Sequence, residues 1–93
     1  MSYSLKFKKA ALKEWRKLDG NLRTQFKKKL GKRLQDPYVP SSRLSGTDNR
    51  FKIKLRTAGY RLVYEVRESE IVVIVIAVGK REGKAVYKTA VTR

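Results

Sequence analysis

The stretch RFKIKLRTAGYRLVY, Arg50–Tyr64, constrains this chain more than any other. Its first half alternates strictly. Phe51, Ile53 and Leu55 share one face of a β-strand, and Arg50, Lys52, Lys54 and Arg56 share the other. Thr57-Ala58-Gly59 reads as a turn and Tyr60-Arg61-Leu62-Val63-Tyr64 as the returning strand. One face of this hairpin can enter a core. The other sets cations about 6.6 Å apart along the strand, and the hairpin brings Arg61 beside them. Like charges so arranged repel, so the isolated protein gains nothing from this face. A polyanion laid across it would relieve the repulsion.

The remaining segments supply the layers such a hairpin needs. Tyr3–Phe7 alternates and predicts a short strand with Tyr3, Leu5 and Phe7 inward. Leu12, Trp15, Leu18 and Leu22 then recur at helical spacing. Gly20 suits a helix stop and Asn21 a helix N-cap, so a second helix is expected from about Leu22 to Leu34, with Phe26 and Leu30 on its apolar stripe. Pro37–Asp48 reads as a loop. Ile71–Val78, IVVIVIAV, is apolar throughout and rich in β-branched residues, the pattern of a central strand covered on both faces. A glycine-punctuated basic loop, Gly79–Gly83, leads to a last short helix, Ala85–Val91. The expected fold is α+β, in β-α-α-β-β-β-α order. It is a small antiparallel sheet, one domain over residues 1–93, with a helical hairpin packed on one face. The other face is expected to stay partly open, carrying Lys52, Lys54 and Arg61, with the Lys80–Tyr87 segment at its edge.

Charge narrows the partner. The 24 Lys and Arg against 8 Asp and Glu give a formal net charge of +16, which favours anionic partners and salt-sensitive association. Nucleic acid is the default. A membrane surface is disfavoured, since no helix sets a clean apolar face opposite its lysines, and the longest apolar run falls far short of the roughly 20 residues a membrane span needs. No cysteine is present and no signal peptide is visible at MSYSLKFKKA, which fits the cytoplasm.

Most routes to chemistry are closed by composition. There is no His and no Cys, so histidine acid–base pairs, thiol nucleophiles and the usual zinc sites are absent. The carboxylates are scattered, which argues against a two-metal nuclease, and no cofactor is implied. Cations and tyrosines remain. A lysine crowded by other cations is easier to deprotonate, and arginine can hold a phosphate bidentately. With such groups an RNA 2′-OH could attack its own 3′ phosphodiester, leaving a 2′,3′-cyclic phosphate and a 5′-OH without a metal. Against this stands a plainer reading of the same residues, in which the lysines are solvated or bind RNA, and Trp15, Tyr3 and Tyr64 are core or sheet aromatics. Spacing alone leads to a small basic α+β domain that binds nucleic acid.

The motifs ALKEWRKL (Ala11–Leu18), KIKLR with GYRLVY (Lys52–Tyr64), and VGKRE with VY (Val78–Tyr87) resemble the RelE toxins of bacterial toxin–antitoxin systems. The resemblance runs from Tyr3 to Val91. It implies an endoribonuclease that cuts mRNA in the A site of the 70S ribosome, against 16S rRNA, and so halts translation. It also implies a RelB-type antitoxin that neutralises the toxin and represses their shared operon, operator DNA being met only through that complex. The family's active residues map onto Lys52, Lys54, Arg61, Arg81 and Tyr87. By resemblance Lys54 acts as general base or stabilises the 2′-alkoxide, and Arg81 serves the leaving 5′ oxygen. Lys52 and Arg61 hold the phosphate, and Tyr87 stacks on or orients the nucleotide. Two positions depart from the family's basic pattern, Ser45 and Gly83. Two rival functions share these features: a non-catalytic RNA- or ribosome-binding protein, and a gyrase-directed toxin of the ParE type.

Overall fold

The apolar run that the sequence marks as central becomes the axis of a four-stranded sheet. The computed structural model describes residues 2–80 and 85–93. Its strands are β1 (Ser4–Phe7), β2 (Arg50–Leu55), β3 (Tyr60–Arg67) and β4 (Val72–Lys80), and its helices α1 (Lys9–Arg16), α2 (Gly20–Gln35) and α3 (Ala85–Thr92). The strand order is β1-β4-β3-β2. β2, β3 and β4 form the expected antiparallel meander, but β1 lies parallel to β4, pairing Ser4 with Val72 and Phe7 with Val75. A strand's alternation reads the same in either direction, so the sequence does not reveal this. The direction of β1 is fixed instead by the long return through α1 and α2.

Both faces of β4 are buried, by different layers. On one face α1 and α2 deliver Ala11, Trp15, Leu22, Phe26 and Leu30 onto Phe51, Ile53, Leu62, Tyr64, Val73 and Val75. Trp15 is the hub of this layer, with its ring tilted against Phe7 at 5.2 Å and against Phe26 at 6.2 Å. On the other face Val63, Val72, Ile74, Ile76 and Ala77 receive Val86 and Ala90 of α3. The open second face expected from the sequence is therefore largely closed. Eight residues of helix with Val86 and Ala90 inward were enough to build a second core.

A β-bulge adjusts the two faces. Val63 pairs with Ala77 and Tyr64 with Val75, so Ile76 is the extra residue on β4. Ile76 and Ala77 consequently both face α3, while Val75 and Val78 face the helical hairpin. The helix boundaries also differ from expectation. Asp19 caps α2, its carboxylate accepting the Leu22 N–H at 2.9 Å, and Gly20 and Asn21 already lie inside the helix. An aspartate two residues earlier satisfies one of the orphan N–H groups better than Asn21 could from within. The hairpin turn closes as read, with Gly59 at φ 70° and its N–H donating to Leu55 O at 2.9 Å.

Ile76 is wholly buried. Ile76→Ala should cost about 2–5 kcal/mol of unfolding free energy. Urea unfolding followed by the fluorescence of the single Trp15 measures it, and a change within error would mean that the α3 face carries no core.

Candidate functional site

The cation row on β2 is divided by its neighbours. Arg50, at one end, is committed to structure. It donates through Nε to Glu65 Oε1 at 3.1 Å, and its Nη1 donates to the Ala90 carbonyl near the end of α3. Glu65 also accepts from Arg67 at 2.8 Å. A cation at a helix C-terminus complements the helix dipole, so Arg50 both neutralises Glu65 and anchors α3. Arg56, at the other end, lies exposed in the turn beyond β2. The expected row of four thus reduces to its middle pair.

Those two meet the other candidates. Lys52 places its Nζ 5.6 Å from the centre of the Tyr87 ring, within cation–π range. Tyr87 is half-buried at the edge of the α3 core. Lys54 is the direct cross-strand partner of Arg61, and Arg61 in turn pairs with Gly79 on β4. Val86 packs closely over Gly79, so the N-terminal half of α3 lies at this end of the sheet. Lys52, Lys54, Arg61 and Tyr87 therefore form one patch. Arg81, together with Gly83, lies outside the described residues. Ser45 is exposed, next to Leu44 of the second core.

Arg61 is the unusual member. It is 4% exposed, the one buried charged residue among the described residues. Its Nη1 donates to its own neighbour, the Tyr60 carbonyl, at 2.9 Å, and its Nε has no hydrogen-bond partner. Among the described residues no carboxylate pairs with it. Glu65 on the same face is held by Arg50 and Arg67. A desolvated guanidinium with an unfilled donor costs stability and is ready to receive an anion such as a phosphate oxygen.

The tyrosines separate by environment. Tyr3 and Tyr38 both donate to Glu68 Oε2, at 2.7 and 2.6 Å. That bond raises both hydroxyls, Tyr38 to about 12. Tyr64 is raised by burial; it donates to Pro37 O at 2.7 Å and accepts from Arg33 Nη1 at 2.9 Å. All three are held in structural bonds away from the patch. Among the described residues no group of three His, Cys, Asp or Glu could hold a metal ion, and no helix is long and apolar enough to cross a membrane.

α3 has a second anchor, which the sequence did not reveal. Glu14 of α1 accepts the Val78 N–H at 3.1 Å through Oε1, and Arg93 reaches the same carboxylate with Nη1 at 2.8 Å and Nη2 at 3.2 Å. Arg93 Nη1 also donates to Ile76 O at 3.0 Å, at the bulge. Glu14 reads in sequence as one of several scattered carboxylates. The only hint is its position as the lone acid in the basic α1 segment.

The fold agrees with that of known proteins. The family model for the ParE toxin of the type II toxin–antitoxin system parDE matches residues 5–84. The chain belongs to the ParE/RelE family of type II toxins. Within that family it is similar to the mRNA interferase toxin RelE of Escherichia coli K12, 52% identical over 100% of this chain and 98% of the relative. The free-state structure of a mutant E. coli RelE superposes with a TM-score of 0.92 at 50% identity, covering 100% of this chain and 98% of that one. The toxin in the intact E. coli RelBE toxin–antitoxin complex gives 0.84 at 51% identity, over 87% of this chain and 99% of that one.

The Arg50–Glu65–Arg67 cluster has a pH signature. Burial pushes the Glu65 carboxyl up, but hydrogen bonds from Arg67 and Arg50 outweigh it and hold the group below its ordinary value. The unfolded chain then takes up the proton first. The contribution is present above the ordinary carboxylate range and is lost as the pH falls through the lower, folded value. Glu65→Gln should lower Tm at pH 7 and make the fall in Tm below pH 4.5 shallower than in wild type. Parallel acid limbs in scanning calorimetry would remove Glu65 from the account.

Proposed function

We propose that this protein is the toxin of a RelBE-type toxin–antitoxin system, a metal-independent endoribonuclease that cuts mRNA in the ribosomal A site. The observation that carries the reading is the patch itself: a buried, incompletely satisfied Arg61 beside Lys54, with Lys52 under the Tyr87 ring. Full-length similarity to an mRNA interferase supports it.

The chemistry follows from the groups available. The 2′-OH of the target nucleotide attacks the adjacent phosphorus. The 2′-O–P bond forms and the P–O5′ bond breaks, leaving a 2′,3′-cyclic phosphate and a 5′-OH. Lys54 takes the 2′ proton or stabilises the 2′-alkoxide. Arg61 and Lys52 hold the phosphate oxygens as negative charge grows on the pentacoordinate phosphorus. Arg81 protonates the leaving 5′ oxygen or stabilises its negative charge, and Tyr87 stacks on or orients the nucleotide. Arginine is a weak acid and lysine a weak base at neutral pH, so the set depends on an imposed substrate geometry. The ribosome supplies that geometry by holding the codon and its 2′-OH in line. A RelB-type antitoxin covers this basic surface and, with the toxin, represses their operon. A gyrase-directed activity of the ParE type is the alternative within the family; the cation–tyrosine patch favours RNA.

Primer extension on a defined mRNA, with and without 70S ribosomes and with EDTA-treated toxin, tests the reading. Cuts should be confined to the A-site codon, require ribosomes, survive removal of free metal from the toxin, and fall at least about 100-fold in Lys54→Ala and Arg81→Ala. No cleavage, with inhibition of gyrase instead, would overturn it.

A further inference from the structure

We propose that Glu14 and Arg93 are positioning residues for cleavage, clamping α3 to α1 and β4 so that Tyr87 stays over Lys52. The proposal rests on the reading of Tyr87 as the nucleotide-stacking residue. Its physical basis is independent of that reading. An eight-residue helix has no stability of its own in water, so the position of α3 is set by what holds it to the sheet. Among the described residues its buried apolar side chains are Val86 and Ala90. Tyr87 lies between them in sequence and is only half-buried.

Besides Lys8 Nζ, which donates to the Arg93 main-chain carbonyl at 3.0 Å, two anchors among the described residues hold the C-terminal end. Arg50 from β2 takes the Ala90 carbonyl. The second anchor is more elaborate, because Glu14 serves two partners at once. Its Oε1 accepts the N–H of Val78, on β4 beyond the last residue paired to β1, and it receives two nitrogens of the Arg93 guanidinium. Arg93 then closes the circuit on Ile76 O, the bulge residue. One carboxylate on α1 thus ties the end of α3 to the irregular segment of β4. The pair is only partly exposed, at 25% for Arg93 and 32% for Glu14, so its charge-assisted bonds are partly shielded from water. Beyond the bulge β4 runs on to Gly79, the cross-strand partner of Arg61, so the clamp joins α3 to the strand that also flanks the buried cation.

The consequence is a coupling that a stability effect alone would not produce. If Arg93 acts through Tyr87, removing Arg93 matters only while Tyr87 is present. The experiment combines amide hydrogen exchange on the free toxin with ribosomal mRNA cleavage, for wild type, Arg93→Ala, Arg93→Lys, Tyr87→Ala and Arg93→Ala/Tyr87→Ala. Arg93→Ala leaves the Glu14–Val78 bond in place, and Glu14→Gln repeats the test from the other side.

In Arg93→Ala, exchange should quicken at least about 10-fold across residues 85–92 and stay unchanged in β3, while cleavage falls about 10- to 100-fold. Arg93→Lys, which keeps the charge, should recover most of both. On the Tyr87→Ala background Arg93→Ala should cost less than about twofold more. Unchanged exchange in α3 would overturn the clamp. A full further loss on the Tyr87→Ala background would overturn its action through Tyr87 and leave a purely structural pair. Wild-type cleavage by Tyr87→Ala would instead overturn the reading of Tyr87, and the exchange data would still decide the clamp.

Discussion

The double burial of β4 is the constraint on which the rest of this structure depends. A strand that is apolar on both faces cannot stand at an edge or face water. It needs a strand on each side and a layer above and below. β1 and β3 supply the first, and the helical hairpin and α3 supply the second. Everything placed near the patch follows from this arrangement. β3 brings Arg61 alongside β4, β2 brings Lys52 and Lys54 alongside β3, and α3, recruited to cover Ile74, Ile76 and Ala77, brings Tyr87 over Lys52.

The same arrangement explains how so basic a chain folds. Its net charge of +16 opposes compaction, yet six of its fourteen lysines stand exposed on the outer surfaces of α1 and α2, where water screens them. The cations nearer the core are treated case by case. Arg50 has Glu65 and a helix terminus, Arg93 has Glu14, and Arg33 has the Tyr64 hydroxyl. Among the described residues Arg61 has only the carbonyl beside it, and its Nε is unfilled. A fold that provides counter-groups for its partly buried cations and leaves this buried one incomplete carries a local cost. An anionic ligand offsets that cost when it binds.

Much of this was legible in the sequence, for definable reasons. Strict alternation at Phe51, Ile53 and Leu55 fixed the faces of β2, and Trp15 and Tyr64 are core as their patterns suggested. The α+β class followed from the order of periodicities. Other features carry no periodic signal. The direction of β1 is invisible because period-two alternation has no polarity. The bulge at Ile76 is invisible because an all-apolar run cannot show which residue is extra. α3 was legible as a helix but not as a lid on the sheet, since so short a segment has too few turns to display a face. The Glu14–Arg93 clamp joins residues far apart in the chain, and no local pattern links them. The patch was half legible: the alternation placed Lys52 and Lys54 on one face, but the burial of Arg61 and the arrival of Tyr87 depend on tertiary packing.

The central claim is that the Arg61 charge is kept for an anionic ligand and not for the fold. Arg61→Met keeps the length and packing of the buried stem and removes the unsatisfied guanidinium. Its Tm and its cleavage of ribosome-bound mRNA should be measured on one preparation. The account predicts a Tm equal to or a few degrees above wild type and cleavage reduced at least about 100-fold. A Tm several degrees lower, or cleavage at the wild-type rate, would contradict it.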